Sequence, residues 1–430
     1  MKYRLALPIV LFASLLAGAF FLLAAGATTP VTLAADHAQA GNQVTVIGPV
    51  VPSVGPPVTE LPVAVMDPSQ TTEGNPPRRQ RDIKLPDSAP PSGPDPLLGV
   101  QASVPAVSGS GFLSPTLNFD GQGFTNLNPP DTVGDVGIDH YIQMINCQSG
   151  SCFVIYNKED GSIADGPFTL STLGGTGACA SGLGDPIVVF DQLAGRWVLT
   201  EFAAGGNALC VYVSETEDPI TTNWFAYNFP TPNFPDYPKY GVWPDAYYVS
   251  TNENLPAVYA LERLEMLNGQ PATMQRFTAP PLGGFPFQAL TPADADGATP
   301  PPADAPGIFM RHRDDEVHDP GPDPDNDFVE VFEFDVDFDN PANSTFGLAD
   351  SIAVTEFDSD LCGLVSFSCV PQPGTSTQLD PLREVVMWRL QYRNFGSHQT
   401  LVGNFVTDVD DTDHHGVRWF ELRKTGDPWT

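Results

Sequence analysis

Two acidic loops carry the residues best suited to chemistry. One runs from Asp314 to Asp327, DDEVHDPGPDPDND, and the other from Thr407 to His415, TDVDDTDHH. The strand before the first loop reads Met-Arg-His-Arg, and its two arginines share one face because side chains alternate along a strand. A pocket that combines arginine, histidine and carboxylates is suited to polar ligands and proton transfer. The candidate ligand-binding residues are Arg311, His312, Arg313, Asp314, Asp315, Glu316, His414 and His415.

The first loop also predicts a cation site. Asp323, Asp325 and Asp327 alternate with other residues, and a similar pair, Asp294 and Asp296, precedes them in the chain. Carboxylates at such spacing offer the hard oxygen ligands that Ca²⁺ prefers, although neither run has the glutamate spacing of an EF-hand. We therefore expect Ca²⁺ as the cofactor. The alternative is that these loops are only solvated connections.

The second loop offers a different ligand set. Asp411 and Asp413 stand beside His414 and His415, a combination that suits a transition metal. Adjacent histidines point apart on a strand, which argues against their binding one ion.

The elements that must position these loops are short strands. Residues Asp185 to Phe229 contain four of them, Ile187 to Phe190, Arg196 to Phe202, Leu209 to Ser214 and Trp224 to Phe229, each β-branched or aromatic and too short for a helix. A four-stranded meander of this kind is typical of one propeller blade, which needs similar neighbours to bury its faces.

Four further copies follow the same strand order. Third strands begin at Cys152, Leu209, Ala257, Phe328 and Gly416. Second strands precede them and begin at His140, Arg196, Ala246, Ile308 and Gln399. The loops that join second to third strands emerge on one face, so the two acidic loops of the fourth and fifth blades should be neighbours. The sequence therefore predicts an all-β propeller with about five recognisable blades.

The last blade is expected to be incomplete. Gly426-Asp427-Pro428-Trp429 repeats the turn that leads from Asp218 to the fourth strand of the second blade, but the sequence has no such strand after it. The segment Phe112 to Phe124 is long enough to supply one strand by circular closure, though not a whole blade. We expect a propeller truncated at its C-terminus, with four complete blades and no closed ring.

The turn from Ser214 to Trp224, SETEDPITTNW, resembles a degenerate Asp-box of sialidase-like, BNR-repeat propellers. The segments PDYPKYGVWPDAYYVSTN and DPLREVVMWRLQYRNFG resemble a family of uncharacterised secreted bacterial proteins, and the resemblance extends from about Phe112 to the end. It implies a propeller fold more than a function. In such boxes the aspartate caps the turn and the aromatic packs between blades, which implies structural roles for Asp218 and Trp224.

The N-terminal third is organised differently. Residues 1–40 combine Lys2 and Arg4 with an apolar run and small residues, which is typical of a cleaved secretory signal; an uncleaved anchor is the alternative. Residues 41–110 are rich in proline and predict an extended, mostly disordered linker, in which three arginines near residue 80 are either a processing site or a solvated patch. The propeller domain is expected to span residues 111–430. The protein is therefore expected to be secreted or bound at the cell surface.

Six cysteines behind a signal peptide predict a disulfide framework in an oxidising compartment. One pair flanks a tight turn and a second closes a small loop, which leaves the third pair by elimination. The expected disulfides are Cys147–Cys152, Cys362–Cys369 and Cys179–Cys210.

The net charge of −33 makes nucleic acid an unlikely partner, because acidic surfaces repel phosphate. No P-loop, G-x-S-x-G or H-E-x-x-H motif is present. Two functions remain: a secreted module that binds a glycan or protein ligand through its acidic loops, which we favour, and a sialidase-like or other glycan-cleaving enzyme. The catalytic residues of such an enzyme cannot be assigned from the sequence.

Overall fold

The computed structural model describes residues 43–64, 72–73, 94–103, 114–285, 287–318, 326–364 and 368–430. These residues are almost entirely strands and turns. The predicted signal, most of the predicted linker, Asp323 and Asp325 lie outside the described residues. Within the described part, no helix is long and apolar enough to cross a bilayer.

Short elements precede the first blade. They are β1 (Thr45–Val50), β2 (Ser53–Gly55), β3 (Thr72–Glu73), α1 (Pro96–Ser103) and β4 (Leu127–Asn128).

Three blades of four antiparallel strands follow. The first contains β5 (Val133–Val136), β6 (His140–Cys147), β7 (Gly150–Asn157) and β8 (Ile163–Thr169). The second contains β9 (Gly182–Asp191), β10 (Arg196–Ala203), β11 (Ala208–Ser214) and β12 (Trp224–Pro230). The third contains β13 (Asp236–Val242), β14 (Ala246–Asn252), β15 (Pro256–Glu262), the short helix α2 (Arg263–Leu267) and β16 (Ala272–Thr278).

The last two blades share one sheet. The fourth contains β17 (Thr291–Asp296), β18 (Gly307–Arg313), β19 (Asn326–Asp335) and β20 (Thr345–Thr355). Among the described residues, the fifth has three strands, β21 (Leu390–Asn394), β22 (Gln399–Asp408) and β23 (His415–Lys424). The inner strands β17 and β21 pair in parallel and join both blades. The fold is a β-propeller with five recognisable blades and an incomplete last blade, as predicted from the strand order.

Two residues that directly precede β21, Trp388 and Arg389, contact the inner strands of the other blades. The indole N–H of Trp388 donates to the carbonyl of Tyr240 in β13 at 2.8 Å. The guanidinium of Arg389 reaches Asp135 of β5 at 2.9 Å, Asp294 of β17 at 3.6 Å and the Val188 carbonyl of β9 at 3.3 Å. The inner strands of all five blades therefore converge on Trp388 and Arg389.

Part of the expected linker is incorporated into the propeller. Strand β1 pairs with β16 at the outer edge of the third blade, and β2 pairs with β12 at the edge of the second. This differs from the expectation of an extended tether for these residues. The reason is that an outer blade strand exposes unpaired N–H and C=O groups, which an extended segment can satisfy.

The segment before β5 covers the first blade without extending the fifth. Phe119 packs against Tyr156 at 5.2 Å between ring centroids, and the N–H of Gln122 donates to Gln143 Oε1 at 2.6 Å. Residues 114–126 form no strand, so the strand that circular closure would supply is absent from these described residues. The fifth blade correspondingly exposes Val417 and Trp419, each at 71%.

Neighbouring blades elsewhere pack face to face through apolar side chains. One core lies between the first two blades around Trp197 and Trp224, a second lies between the second and third blades, and the largest joins the third, fourth and fifth. The three disulfides are the predicted ones, Cys147–Cys152, Cys179–Cys210 and Cys362–Cys369. Disulfides are typical of proteins in oxidising compartments.

Candidate functional site

The predicted pocket of arginine, histidine and acid does not form as a single pocket. Arg311 binds Glu330 at 2.7 Å and Arg313 binds the same carboxylate at 3.3 Å, both on one face of β18. His312 lies on the opposite face, where its Nε2 contacts the Arg383 carbonyl at 2.8 Å and its ring stacks on Phe405. Strand alternation separates the three side chains. Burial lowers the pKa of His312 to about 4, so it is neutral at physiological pH.

The first acidic loop forms a carboxylate cluster instead. Oxygens of Asp315, Glu316, Asp327 and Glu356 all lie within 4.8 Å of one another. Asp327 is held by backbone donors, since it accepts the N–H groups of Asp315 at 2.9 Å and Phe357 at 2.6 Å. We call these four residues the acidic cluster. Sequence reasoning identified three of its members and missed Glu356, which follows β20 and has no local pattern to mark it.

Crowding of negative charge changes the protonation of this cluster. Burial, with the charge of Asp314 next, raises the pKa of Asp327 to about 9. Burial, with a hydrogen bond to Asp315 next, raises the pKa of Glu316 to about 8. Like charges in a small volume must be neutralised by protons or by a cation. The cluster therefore has oxygen ligands suited to Ca²⁺.

Asp314 itself has a structural role. Its carboxylate accepts hydrogen bonds from the Ser359 N–H at 2.8 Å, the Ser359 hydroxyl at 2.6 Å and the Val317 N–H at 3.1 Å. It thereby connects the acidic loop to the segment after β20.

The second acidic loop is organised by Asp408. Its oxygens accept the N–H groups of Asp411 at 3.0 Å and Asp413 at 2.6 Å. His414 is exposed and contacts Asp410 at 3.0 Å, whereas His415 Nε2 lies against the Cys362–Cys369 disulfide. The two histidines point apart, as the strand geometry predicts.

A second group of titratable residues lies at the beginning of three inner strands. Asp131 precedes β5, Asp185 lies near the start of β9, and Asp236 and Lys239 are in β13. These three inner strands enter the propeller on the face that also bears the loops between second and third strands. Asp131, Asp185 and Lys239 are partly exposed, and Asp236 is buried. We call these four residues the axial site.

Asparagines at the ends of second strands hold the axial carboxylates. Asn146 donates to Asp131 Oδ2 at 2.6 Å and accepts the Asp185 N–H at 3.0 Å, so one amide connects two blades. Asn252 donates to Asp236 Oδ2 at 3.0 Å and accepts the Gln288 N–H at 3.1 Å. The same arrangement thus recurs in the first and third blades.

The backbone at the axial site is strained in three successive blades. Asp131, Asp185 and Tyr237 have φ values of 43°, 51° and 54°, in the left-handed region that side chains disfavour. Each such residue costs on the order of 1 kcal/mol or more, and clusters of them are common at functional sites.

Burial and neighbouring charges in the axial site change the pKa values of Asp185 and Lys239. Burial raises the pKa of Asp185 well above its ordinary value, and the charge of Asp131 raises it further, together with a hydrogen bond between the two side chains. The nearby charge of Lys239 acts in the opposite direction. Burial lowers the pKa of Lys239, while the three aspartates favour its charged form. The surroundings of Asp185 therefore favour its neutral form.

Sequence reasoning did not identify the axial site. Its signal is a repeated neighbour pair, Pro130-Asp131, Asp185-Pro186 and Pro235-Asp236, at the start of three inner strands. The pattern becomes visible only when inner strands are aligned. Second and third strands are more apolar and therefore dominate the repeat pattern of the sequence.

No protein-family model matches the sequence, and no curated protein matches it. The resemblance to BNR-repeat propellers thus has no support from family models.

Solved structures of low similarity include three glycan-acting proteins. One is assigned as an exo-beta-1,3-galactanase from Bifidobacterium bifidum s17, with 10% identity over 70% of this chain and 90% of that chain and a TM-score of 0.30. The second is an engineered GH43 glycoside hydrolase with endo-xylanase and exo-arabinofuranosidase activity, with 9% identity over 69% and 51% and a TM-score of 0.26. The third is a GH43 endo-arabinanase from Bacillus licheniformis, with 11% identity over 68% and 93% and a TM-score of 0.23. The proposals below depend on the geometry of this chain alone.

Proposed function

We propose that this protein is a glycan-cleaving hydrolase whose acid and base are carboxyl groups of the axial site. The supporting observation is the pair Asp131 and Asp185, in which one carboxyl group is driven toward its protonated form beside the other. Glycoside hydrolysis requires one carboxylic acid to protonate the leaving oxygen and a second carboxylate, about 5–9.5 Å away, to act as base or nucleophile. In this proposal the hydrogen bond between Asp131 and Asp185 opens when substrate binds, and the glycosidic oxygen takes its place.

The roles follow from the surroundings of each group. Asp185 is the general acid, because burial and Asp131 keep it protonated. Asp131 is the candidate base or nucleophile, held in place by Asn146. Lys239 and Asp236 are the other polar residues of the axial site. Trp388 and Arg389 lie where the inner strands converge, so a substrate would approach from the face that bears the loops.

The first experiment is a screen for activity. Purified protein is assayed against a panel of fluorogenic glycosides and polysaccharides, and the active substrate is then tested with Asp185→Asn. We expect kcat to fall by about 10² to 10⁴ while circular dichroism is unchanged, because general acid catalysis contributes a factor of that size.

Asp218→Asn is the matched control, since Asp218 caps a turn in the same blade by accepting the Ile220 N–H at 2.9 Å. Equal activity of Asp185→Asn and the parent protein on an active substrate would contradict the assignment of the acid. No turnover of any glycan in the panel would contradict the proposed function.

A second candidate is a secreted module that binds an extracellular glycan or protein. The observation that favours it is the acidic cluster, whose four carboxylates converge on the loop face. In this proposal Ca²⁺ is bound by the cluster and either bridges to a ligand or fixes the loops. A glycan array probed with and without Ca²⁺ distinguishes this function from hydrolysis, because binding without product formation would favour the module.

A further inference from the structure

The disulfide Cys362–Cys369 differs from the other two in its surroundings. The other four cysteines are buried, with exposures of 4%, 2%, 2% and 0% for Cys147, Cys152, Cys179 and Cys210. Both Cys362 and Cys369 are partly exposed and lie in the irregular segment between β20 and β21. A small external thiol can therefore reach this disulfide more easily than the others.

An imidazole lies against both sulfurs. His415 Nε2 is 3.5 Å from Cys362 Sγ and 3.7 Å from Cys369 Sγ, and the three atoms lie within 4.8 Å of one another. His415 is the first residue of β23, so its position is fixed by a strand. On the other side, the Cys362 N–H donates to Asp413 Oδ1 at 2.6 Å. Two sulfurs and one imidazole nitrogen thus lie close together, and the carboxylate of Asp413 is hydrogen-bonded to the backbone beside them.

We infer that this group is a redox-controlled zinc site, closed while the disulfide is intact and formed when it is reduced. Two thiolates and one imidazole are ligands that Zn²⁺ prefers, with a carboxylate or water in the fourth position. The site differs from the acidic cluster, whose all-oxygen ligands suit a hard cation.

The chemistry balances with a dithiol as the reductant. One thiolate of the dithiol attacks a disulfide sulfur, the S–S bond breaks, and the second thiol resolves the mixed disulfide. The dithiol is oxidised to its disulfide, and Cys362 and Cys369 each gain one electron and one proton. Binding of Zn²⁺ then releases the two thiol protons.

The first part of the test is selective reduction. The full chain is treated with increasing dithiothreitol under native conditions, free thiols are alkylated, and the labelled cysteines are mapped by mass spectrometry. We expect Cys362 and Cys369 to be labelled before the other four. Simultaneous labelling of all six, or earlier labelling of a buried pair, would overturn the inference.

The second part measures metal binding. After selective reduction and removal of the dithiol, Co²⁺ is added as a spectroscopic substitute for Zn²⁺. We expect one equivalent to produce the absorption of thiolate-bound Co²⁺, which Zn²⁺ then displaces, whereas the oxidised protein gives no such absorption. Absence of this signal in the reduced protein would overturn the inference.

Two variants test the imidazole. His415→Asn should weaken Zn²⁺ binding by the reduced protein more than about tenfold, since even outer partners of zinc ligands contribute 10-fold to 100-fold. His414→Asn is the control, because that ring is exposed and points to Asp410. Equal affinity of His415→Asn and His414→Asn would exclude His415 as a ligand and overturn the site.

Discussion

At the residue scale, aspartate has opposite roles in this molecule according to its partners. Asp191 is fully buried and is bound by Arg263 at 2.7 Å and by the Tyr247 hydroxyl at 2.9 Å, so its charge is compensated. Asp185 meets a second carboxyl group, and burial with that neighbour raises its pKa. The first arrangement ties two blades together, while the second favours the neutral form of Asp185.

Glu201 should make stability depend on pH. It is 1% exposed, accepts the Ser151 N–H at 2.8 Å, and has its pKa raised to about 8 by burial. Between its ordinary pKa of 4.5 and about 8, the folded state holds a proton that the unfolded state lacks. The free energy of unfolding therefore falls as pH rises through this window, by up to about 1.4 kcal/mol per pH unit.

Glu201→Gln should remove this dependence and increase stability at pH 8 by about 1–3 kcal/mol, because the amide carries no charge to bury. Urea unfolding at several pH values measures both the pH dependence and the gain in stability. Glu159→Gln, at an exposed turn position, is the control and should leave the pH dependence intact. A variant that kept the parent slope would show that Glu201 is not the titrating group.

Lys239 should set the upper pH limit of the proposed hydrolysis. Its charge lowers the pKa of Asp185, so Lys239→Met should raise that pKa further. The general acid would then remain protonated to higher pH, and the alkaline limb of kcat should move up by about one unit. The pH–rate profile on the substrate found in the screen measures this, with the exposed Lys158→Met as control. A shift to lower pH would contradict the assigned roles.

At the element scale, the loop between the second and third strands has different roles in the first and fourth blades. The loop from Gln148 to Ser149 in the first blade is a tight turn closed by a disulfide, whereas the corresponding region of the fourth blade brings four carboxylates together. The length of each loop can be read from the sequence. The contribution of Glu356 cannot, because Glu356 follows β20 and lies outside the loop between β18 and β19.

Ca²⁺ should stabilise the acidic cluster. A ligand that binds only the folded state raises the free energy of unfolding, by about 2.7 kcal/mol at a concentration 100-fold above Kd. We therefore expect a higher Tm with Ca²⁺ than with EGTA by differential scanning fluorimetry. The double variant Glu316→Gln with Glu356→Gln should lose the effect, while Asp339→Asn, an exposed turn aspartate, should retain it. An unchanged Tm on chelation would remove the cation proposal.

At the scale of the whole molecule, Arg389 connects blades that are distant in sequence. It pairs with Asp135 of the first blade and Asp294 of the fourth. Burial raises the pKa of Asp294 to about 7 even though Arg389 acts to lower it. Loss of the arginine would leave two enclosed carboxylates without their cation.

Arg389→Met should lower the free energy of unfolding by about 3 kcal/mol, because removing one partner of an enclosed pair is costly. Adding Asp294→Asn should recover part of this loss, because the amide carries no charge that needs the missing arginine. Guanidinium unfolding of the single and double variants measures the coupling, with exposed Arg393→Met as the control. Strictly additive losses would show that Arg389 and Asp294 do not interact.

The amino-acid sequence by itself determined the strands of the propeller. Alternating β-branched and aromatic residues with turn residues between them predicted Arg196 to Phe202 and Leu209 to Ser214 within one residue of β10 and β11. The turn between two strands then indicated Cys147–Cys152, the small loop indicated Cys362–Cys369, and elimination left Cys179–Cys210. These are local properties, decided by neighbours along the chain.

Only the tertiary structure decided which polar residues meet. Alternation along β18 separated His312 from its neighbouring arginines, and packing of the first blade against the second brought Asp131 to Asp185 across more than fifty residues. Tertiary packing also placed Cys362 and Cys369 against His415, although the acidic loop had suggested that His415 would join the aspartates. The physical reason is that a propeller positions its functional groups radially, by the packing of successive blades around an axis. Hydrophobic periodicity reports which face of a strand is buried, and it carries no information about which blade lies opposite.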